Sequence, residues 1–104
     1  MNAELLLERN RNEIEGLCRK YQVRRLRLFG SALGAEWKAN DSDFDFLAEF
    51  DAPRDMNAFD QLMGFAIEMK TLLGHNVDVV DWNAAKNPFF KRFAEQQARE
   101  VFAT

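Results

Sequence analysis

The chain has 104 residues, a length that suits one domain, residues 1–104, around a single hydrophobic core. Hydrophobic residues make up 47% and charged residues 30% of the chain, a balance typical of a globular protein in water. A net charge of −3 argues against general nucleic-acid binding, and no apolar run approaches the roughly 20 residues that cross a bilayer, so we expect no membrane span. The first residues lack the pattern of a signal peptide, and we expect a cytoplasmic protein.

The first third of the chain predicts a helix followed by a strand. Apolar residues at helical spacing predict an amphipathic helix over about residues 3–21. These residues are Leu7, Ile14, Leu17, Cys18 and Tyr21. Cys18 is the only cysteine, cannot form an internal disulfide, and is interpreted as a buried packing residue. Residues 23–29 alternate apolar side chains with arginines, which predicts a strand with a largely solvated arginine face and, as a secondary role, steering of an anionic ligand. Gly30-Ser31 then predicts a sharp turn into a short helix.

Two further strands are predicted, with a helix between them. Residues 43–50 alternate apolar and polar side chains, which predicts the second strand, and Val77–Asp81 predicts the third. The intervening helix is expected to begin with Asp55 as its N-cap and to end at Gly74. Its buried face is predicted to consist of Phe59, Leu62, Met63, Ala66, the stem of Lys70 and Leu73.

A last helix completes the predicted fold. Asn87-Pro88 predicts its start, because asparagine caps a helix and proline suits the first helical position. The apolar stripe of this helix is expected to continue as far as Val101. The order of elements predicts an α/β (α+β) fold, in which helices pack against a three-stranded mixed sheet.

Three aspartates are candidate metal ligands. Asp43 and Asp45 are two residues apart on a predicted strand, so their carboxylates leave the same face and repel each other unless a cation lies between them. Asp78 faces away from its two core neighbours, Val77 and Val79, on the third strand. If the second and third strands are neighbours, the three carboxylates converge. Such a cluster, with open coordination positions, suits Mg²⁺ together with a nucleotide.

Gly30-Ser31 is a candidate phosphate site. Glycine lets the backbone approach a ligand closely because it has no Cβ atom, and the amides that follow it at a helix start attract phosphate. The Ser31 hydroxyl adds one hydrogen bond to a phosphate oxygen. A Gly-Ser pair after a strand is weak evidence alone, and it becomes specific when coupled to the three aspartates.

These motifs together resemble one protein family. The segments Leu28-Phe29-Gly30-Ser31, Asp43-Phe44-Asp45-Phe46-Leu47 and Val77-Asp78-Val79-Val80 look like those of the minimal nucleotidyltransferases, a branch of the DNA polymerase β-like superfamily. The likeness covers nearly the whole chain, since the helix that begins at Asn87-Pro88 is also similar to the usual ending of that family. The resemblance implies a polymerase β palm-like fold.

The resemblance also implies a role for each candidate residue. Asp43 and Asp45 are expected to bridge two Mg²⁺ ions, and Asp78 to bind the ion that activates the attacking hydroxyl. Gly30 and Ser31 are expected to hold the β- and γ-phosphates of ATP or another nucleoside triphosphate. These five residues are therefore the predicted catalytic, metal-binding and nucleotide-binding set.

The chain departs from the family pattern at two points. Eleven residues, Ala32 to Ser42, separate Ser31 from Asp43, which is one more than usual and is expected to enlarge the intervening loop. Many relatives carry an arginine soon after the Gly-Ser pair, whereas this chain continues with Ala32-Leu33-Gly34. The missing arginine argues for weaker triphosphate binding, and neither departure removes a metal ligand.

Three functions stay open on the sequence. The first is transfer of a nucleoside monophosphate, AMP from ATP, to a hydroxyl of a partner protein; the resemblance implies an antitoxin that modifies a tyrosine of a helical HEPN toxin. The second is a binding module that neutralises its partner by occlusion. The third is a transferase that acts on a small molecule. We rank it lowest because such enzymes usually need a further domain.

Several features also have a plain structural interpretation. The aspartates would suit a solvated strand end, which we weigh as the weaker alternative because all of them fall at family positions. His75 follows a glycine in a loop and is interpreted as a surface or capping residue. Trp37 suits packing on the domain better than stacking on a nucleobase.

Overall fold

The computed structural model describes residues 3–30 and 44–104 of the chain. Its centre is one mixed sheet formed by β1 (Val23–Phe29), β2 (Phe44–Phe50), β3 (Val77–Asp81) and β4 (Arg99–Ala103). The strand order is β3-β2-β1-β4. β1 pairs antiparallel with both β2 and β4, whereas β2 and β3 run parallel. The predicted mixed α+β sheet is confirmed, with four strands where the sequence predicts three.

Helices cover both faces of this sheet. The helices α1 (Ala3–Arg9), α2 (Arg11–Lys20) and α3 (Ala58–Leu73) lie on one face, and α4 (Pro88–Gln97) lies on the other. The main core lies under the first three helices, where alternate residues of β1 and β2 meet them. Its largest fully buried members are Phe44, Phe46, Phe65, Ile14, Leu26, Leu28 and Met69. Among the residues described, no helix combines the length and the apolar character that crossing a bilayer requires.

The fourth strand corrects the prediction for the end of the chain. The predicted helix stops at Gln97, and Ala98 adopts an extended conformation with ψ of 144°. Residues Arg99–Ala103 then pair with β1, where Phe102 lies opposite Leu26 and is buried in the main core. The apolar residues near Val101 fit a helical stripe and a strand equally well. They form a strand because the edge of β1 offers backbone hydrogen-bond partners to this segment.

The first predicted helix is two helices. It breaks at Asn10, whose side-chain amide donates to the carbonyl oxygen of Leu6 at 2.9 Å and so caps the end of α1. An asparagine side chain competes in this way with the helical backbone pattern. The break keeps one face inward, because Leu7, Ile14 and Cys18 are all buried. The prediction that Cys18 is a packing residue is confirmed, and burial raises the pKa of its thiol to about 12.

The boundaries of α3 and α4 follow local chemistry. The side chain of Asn57, not the predicted Asp55, caps α3 by accepting a hydrogen bond from the Asp60 amide at 2.7 Å. Gly74 ends this helix in the left-handed conformation, as predicted. The predicted start of α4 is also confirmed, since the Asn87 side chain accepts hydrogen bonds from the first amides of that helix.

The buried face of α3 differs from the predicted face, although Leu73 is buried as predicted. Phe59 is 69% exposed and Met63 is 40% exposed, whereas Gln61, Phe65 and Met69 point into the core. The Gln61 side-chain amide donates to the carbonyl oxygens of Tyr21 at 2.8 Å and Asp51 at 2.9 Å, so its burial leaves these donors satisfied. The helix has two apolar faces. The face that contains Gln61 is the buried one, because the carbonyl oxygens of Tyr21 and Asp51 accept the hydrogen bonds of its side chain.

Candidate functional site

Two of the three predicted metal ligands lie side by side. Asp45 on β2 and Asp78 on β3 are direct neighbours in the parallel register. Phe44 and Phe46 point into the main core, and so does Val79, so the two aspartates leave the opposite face of the sheet. Neighbouring strands lie roughly 4.8 Å apart, which brings the two carboxylates to one place on the sheet. The sequence prediction required that the second and third strands be neighbours, and β2 and β3 are neighbours in the sheet.

Gly30 completes this part of the site from a third strand. It follows Phe29, the residue that pairs with Asp45 across β1 and β2. Its backbone has φ of +79°, and a Cβ atom on it would lie 2.5 Å from Oδ2 of Asp45. Only glycine fits here, for both its backbone conformation and its distance from the carboxylate. The ends of three strands therefore meet where Gly30, Asp45 and Asp78 lie.

The two remaining predicted site residues, Ser31 and Asp43, lie outside the described residues. The predicted short helix after Gly30 lies outside them as well. Within residues 3–30 and 44–104, no group of three or more histidine, cysteine, aspartate or glutamate side chains is placed to hold a metal ion. The described part of the predicted cluster is thus the pair of carboxylates, Asp45 and Asp78.

The described residues fit a divalent cation with a phosphate ligand. Carboxylate oxygens are the donors that Mg²⁺ prefers, and Asp78 is exposed, so ligands from solution can approach it. Like charges on adjacent strands repel unless a cation lies between them. The missing side chain at position 30 leaves the backbone beside Asp45 accessible to a phosphate.

A second cluster lies on the same face of the sheet, beneath α4. Arg27 on β1 is only 5% exposed, and its guanidinium carbon lies 4.5 Å from the ring centroid of Trp82. The ammonium of Lys91 lies 4.9 Å from the same centroid. Burial, followed by the nearby charge of Arg25, lowers the pKa of the Arg27 guanidinium. The prediction of a solvated arginine face is therefore wrong for Arg27, because α4 and Trp82 cover this part of the sheet.

The arginines of β1 are paired with carboxylates of the sheet. Glu49 on β2 lies 3.2 Å from Arg24, 3.7 Å from Arg25 and 3.9 Å from Arg27. Arg25 also contacts Glu100 on β4 at 3.0 Å. Arg24 is exposed, and Arg25, which was predicted to share the solvated face with Arg27, is half-buried. These ion pairs are separate from the Asp45–Asp78 pair. The Arg25–Glu100 pair was not predicted, because Glu100 was assigned to a helix.

Comparison with known proteins gives one consistent grouping. The family model described as the nucleotidyltransferase domain matches residues 11–101. The "Putative protein adenylyltransferase MJ0128" of Methanocaldococcus jannaschii is 36% identical over 80 residues, which are 77% of this chain and 78% of that protein.

Solved structures share the fold. A structure described as a putative minimal nucleotidyltransferase matches with a TM-score of 0.75 and 26% identity, over 94% of both chains. A tri-AMPylated Shewanella oneidensis HEPN toxin in complex with MNT antitoxin contains a chain that matches with a TM-score of 0.64 and 22% identity, over 94% of this chain and 73% of that one. A toxin–antitoxin structure with AMP-PNP matches with a TM-score of 0.67 and 23% identity, over 91% of this chain and 74% of that one. At such low identity, the last two establish a common fold only.

Proposed function

The chain belongs to the nucleotidyltransferase domain family and is a nucleotidyltransferase, and from this premise we propose that it transfers AMP from ATP to a hydroxyl group of a partner protein. The partner in this proposal is a helical HEPN-type toxin, so that the chain acts as the antitoxin. The observation that carries the proposal is the pair of neighbouring carboxylates, Asp45 and Asp78, beside the exposed backbone of Gly30.

The proposed acceptor is supported by two of the relatives. The Methanocaldococcus jannaschii protein, at 36% identity, carries the name of a protein adenylyltransferase. The Shewanella oneidensis complex contains a HEPN toxin that carries AMP groups, bound to an MNT antitoxin of the same fold as this chain.

Five residues carry the proposed reaction. Asp43, Asp45 and Asp78 would hold two Mg²⁺ ions, and Gly30 and Ser31 would hold the β- and γ-phosphates of ATP. Bound Mg²⁺ supplies a lowered pKa for the acceptor hydroxyl and neutralises the charge of the leaving pyrophosphate. The task of the protein is orientation: β2 and β3 fix the carboxylates in register, and the missing Cβ of Gly30 lets the backbone amides reach the phosphates.

The proposal is tested by incubating the chain with ATP, Mg²⁺ and a HEPN-type toxin, and measuring the mass of the toxin. We expect a mass increase of one or more AMP groups on the toxin, which disappears when EDTA removes Mg²⁺ and in the Asp45→Asn variant. Asp55→Asn is the matched control, because it makes the same chemical change at an exposed loop residue remote from the site. An unmodified toxin under all these conditions would refute transfer to this class of protein.

The same variants separate catalysis from occlusion. If Asp45→Asn neutralises the toxin as well as the parent chain does, then binding alone suffices and the chain acts as an occluding module. If neutralisation is lost while the variant still binds the toxin in a pull-down, the transfer of AMP is required. The pull-down is needed because a lost complex would produce the same phenotype as lost catalysis.

A further inference from the structure

An aromatic cluster lies directly beside the candidate site. Phe29 is the cross-strand neighbour of Asp45, so both side chains leave the same face of the sheet. Two residues of α4 contact the Phe29 ring edge-to-face: the centroid of Phe90 lies 5.8 Å away and that of Phe93 lies 6.0 Å away. Edge-to-face contacts of this kind hold aromatic rings in defined orientations. Phe29 is thus a neighbour of both Asp45 and the Phe93 ring.

The ring of Phe93 is not needed to fill the core. It is 54% exposed, whereas Ala94 and Phe90 make the inward contacts of α4 with Leu47 and Trp82. A large apolar ring that is half in solvent, and held in place by a neighbouring ring, provides a surface for a flat apolar ligand. Single exposed apolar residues are common on proteins, so the position of this ring relative to the site decides its interpretation.

We infer that the exposed face of Phe93 stacks on the nucleobase of the nucleoside triphosphate. This inference rests on the proposed function, which has the triphosphate at Gly30, Asp45 and Asp78. The ribose separates the phosphates from the base, so the base lies beside the carboxylates and not on them. The ring of Phe93 occupies such a place, one side chain away from Asp45 on the face that the site uses.

Stacking accounts for recognition by this small site without hydrogen bonds to the base edges. Every nucleobase has a π-face, so an aromatic ring binds bases with little selectivity among them. A role as a protein-docking surface is less well supported. A stable interface takes about 800 Å² from each partner, whereas the exposed aromatics of α4 are two rings, Phe89 and Phe93.

The test compares two ligands that share the triphosphate and differ in the base. Calorimetry measures the Mg²⁺-dependent affinity of the purified chain for ATP and for inorganic tripolyphosphate. For Phe93→Ala we expect affinity for ATP to fall by about tenfold, with affinity for tripolyphosphate unchanged. Phe59→Ala is the control, because Phe59 is a phenylalanine on α3, across the sheet from the site, and is more exposed than Phe93, at 69% against 54%. We expect both affinities of this variant to stay at the parent values.

A second variant gives a spectroscopic measurement. Phe93→Trp keeps a stacking ring, so we expect its affinity for ATP to equal or exceed that of the parent chain. Its added tryptophan fluorescence should be quenched by ATP and not by tripolyphosphate. Thermal unfolding of each variant establishes that it is folded, which we expect because position 93 is half exposed.

The outcomes separate this inference from the proposed function. The inference is overturned if Phe93→Ala binds ATP as tightly as the parent does. It is also overturned if the affinities for ATP and for tripolyphosphate fall by the same factor, because the base then does not stack on Phe93. Binding of tripolyphosphate that is lost in Asp45→Asn would still support the proposed site in that case. If the parent chain binds neither ligand with Mg²⁺, the proposed function and the inference fail together.

Discussion

The backbone of Gly30 lies so close to the carboxylate of Asp45 that a Cβ atom on residue 30 would stand 2.5 Å from Oδ2. The two residues lie on different strands, and the antiparallel register that sets Phe29 opposite Asp45 brings them together. The glycine therefore serves two purposes at once. It allows the positive φ at the end of β1, and it leaves the proposed metal ligand undisplaced.

Gly30→Ala separates these two purposes when it is compared with Gly74→Ala. Both glycines have positive φ, +79° and +70°, but a Cβ atom on Gly74 would meet no atom of the described part of the chain within 4 Å. We expect each alanine to lower the free energy of unfolding by about 1–2 kcal/mol through backbone strain. Only Gly30→Ala should abolish Mg²⁺-dependent ATP binding, measured by calorimetry, because only its methyl group pushes against Asp45. Equal loss of ATP binding in both variants would show that general strain is responsible.

Asp45→Asn and Asp78→Asn should each remove most of the transferase activity. Mutating a residue that only supports a metal ligand typically lowers metal affinity or activity by about 10- to 100-fold. We therefore expect the loss of a ligand itself to lower the transferase activity by at least about 100-fold. The double variant should be little worse than either single variant, because the two carboxylates serve the same ions. Initial rates of AMP transfer measure this. Losses that multiply in the double variant would mean that the two aspartates act independently.

Arg27→Met should leave the protein as stable as the parent, or make it more stable. The guanidinium is buried, and burial lowers its pKa. Its Nε atom has no hydrogen-bond partner among residues 3–30 and 44–104. A charge in such surroundings is held at a cost in desolvation. Methionine keeps the apolar contact with Trp82, and Glu49 retains Arg24 and Arg25 as partners.

Urea unfolding of the parent, Arg27→Met and Arg27→Ala tests this expectation. We expect the methionine variant to stay within about 1 kcal/mol of the parent or above it. The alanine variant should lose about 2 kcal/mol or more, because it leaves a cavity beside Trp82. A methionine variant as unstable as the alanine variant would establish that the guanidinium charge itself is required.

Cys18 makes the folded chain lose stability at alkaline pH. Its thiol pKa is about 12 in the folded chain, because burial disfavours the thiolate, against 9.0 for the exposed group. Above pH 9 the unfolded chain releases this proton and the folded chain keeps it, so the stabilisation is complete below pH 9 and is lost as the pH rises toward 12. The loss from this group amounts to at most about 1.4 kcal/mol per pH unit.

The comparison that isolates this effect is the parent chain against Cys18→Ala. Urea unfolding from pH 8 to pH 10.5 gives a free energy for each, and the difference between them cancels the titration of lysines and tyrosine. We expect the parent to lose its advantage over the variant as the pH rises. A difference that is constant with pH would show that the thiol is ionised as easily in the folded chain as in the unfolded chain.

Local signals in the sequence predicted the elements that depend on local chemistry. Gly74 ends α3, Asn87 begins α4, and alternation along β1, β2 and β3 identifies those strands. The neighbouring positions of Asp45 and Asp78 followed from the same alternation, once the strands were taken to be adjacent.

Features that depend on distant parts of the chain were not predictable in this way. The burial of Gln61 requires the carbonyl oxygens of Tyr21 and Asp51, and the burial of Arg27 requires Trp82 from the end of β3. The strand that contains Phe102 requires the free edge of β1. In each case the local pattern allows two conformations, and a partner far away in the sequence selects one of them.

The position of β4 also has a consequence for the order of folding. β1, which leads directly to Gly30, gains its second neighbour only when Phe102 arrives opposite Leu26, from a segment far later in the chain. Pairings between such distant segments form slowly, because a long loop must close before any contact compensates for its entropy. Until then, β1 presents an unpaired edge, which is the kind of surface through which partly folded chains associate. The strand that leads to Gly30 thus keeps an unpaired edge until the last residues of the chain have formed β4.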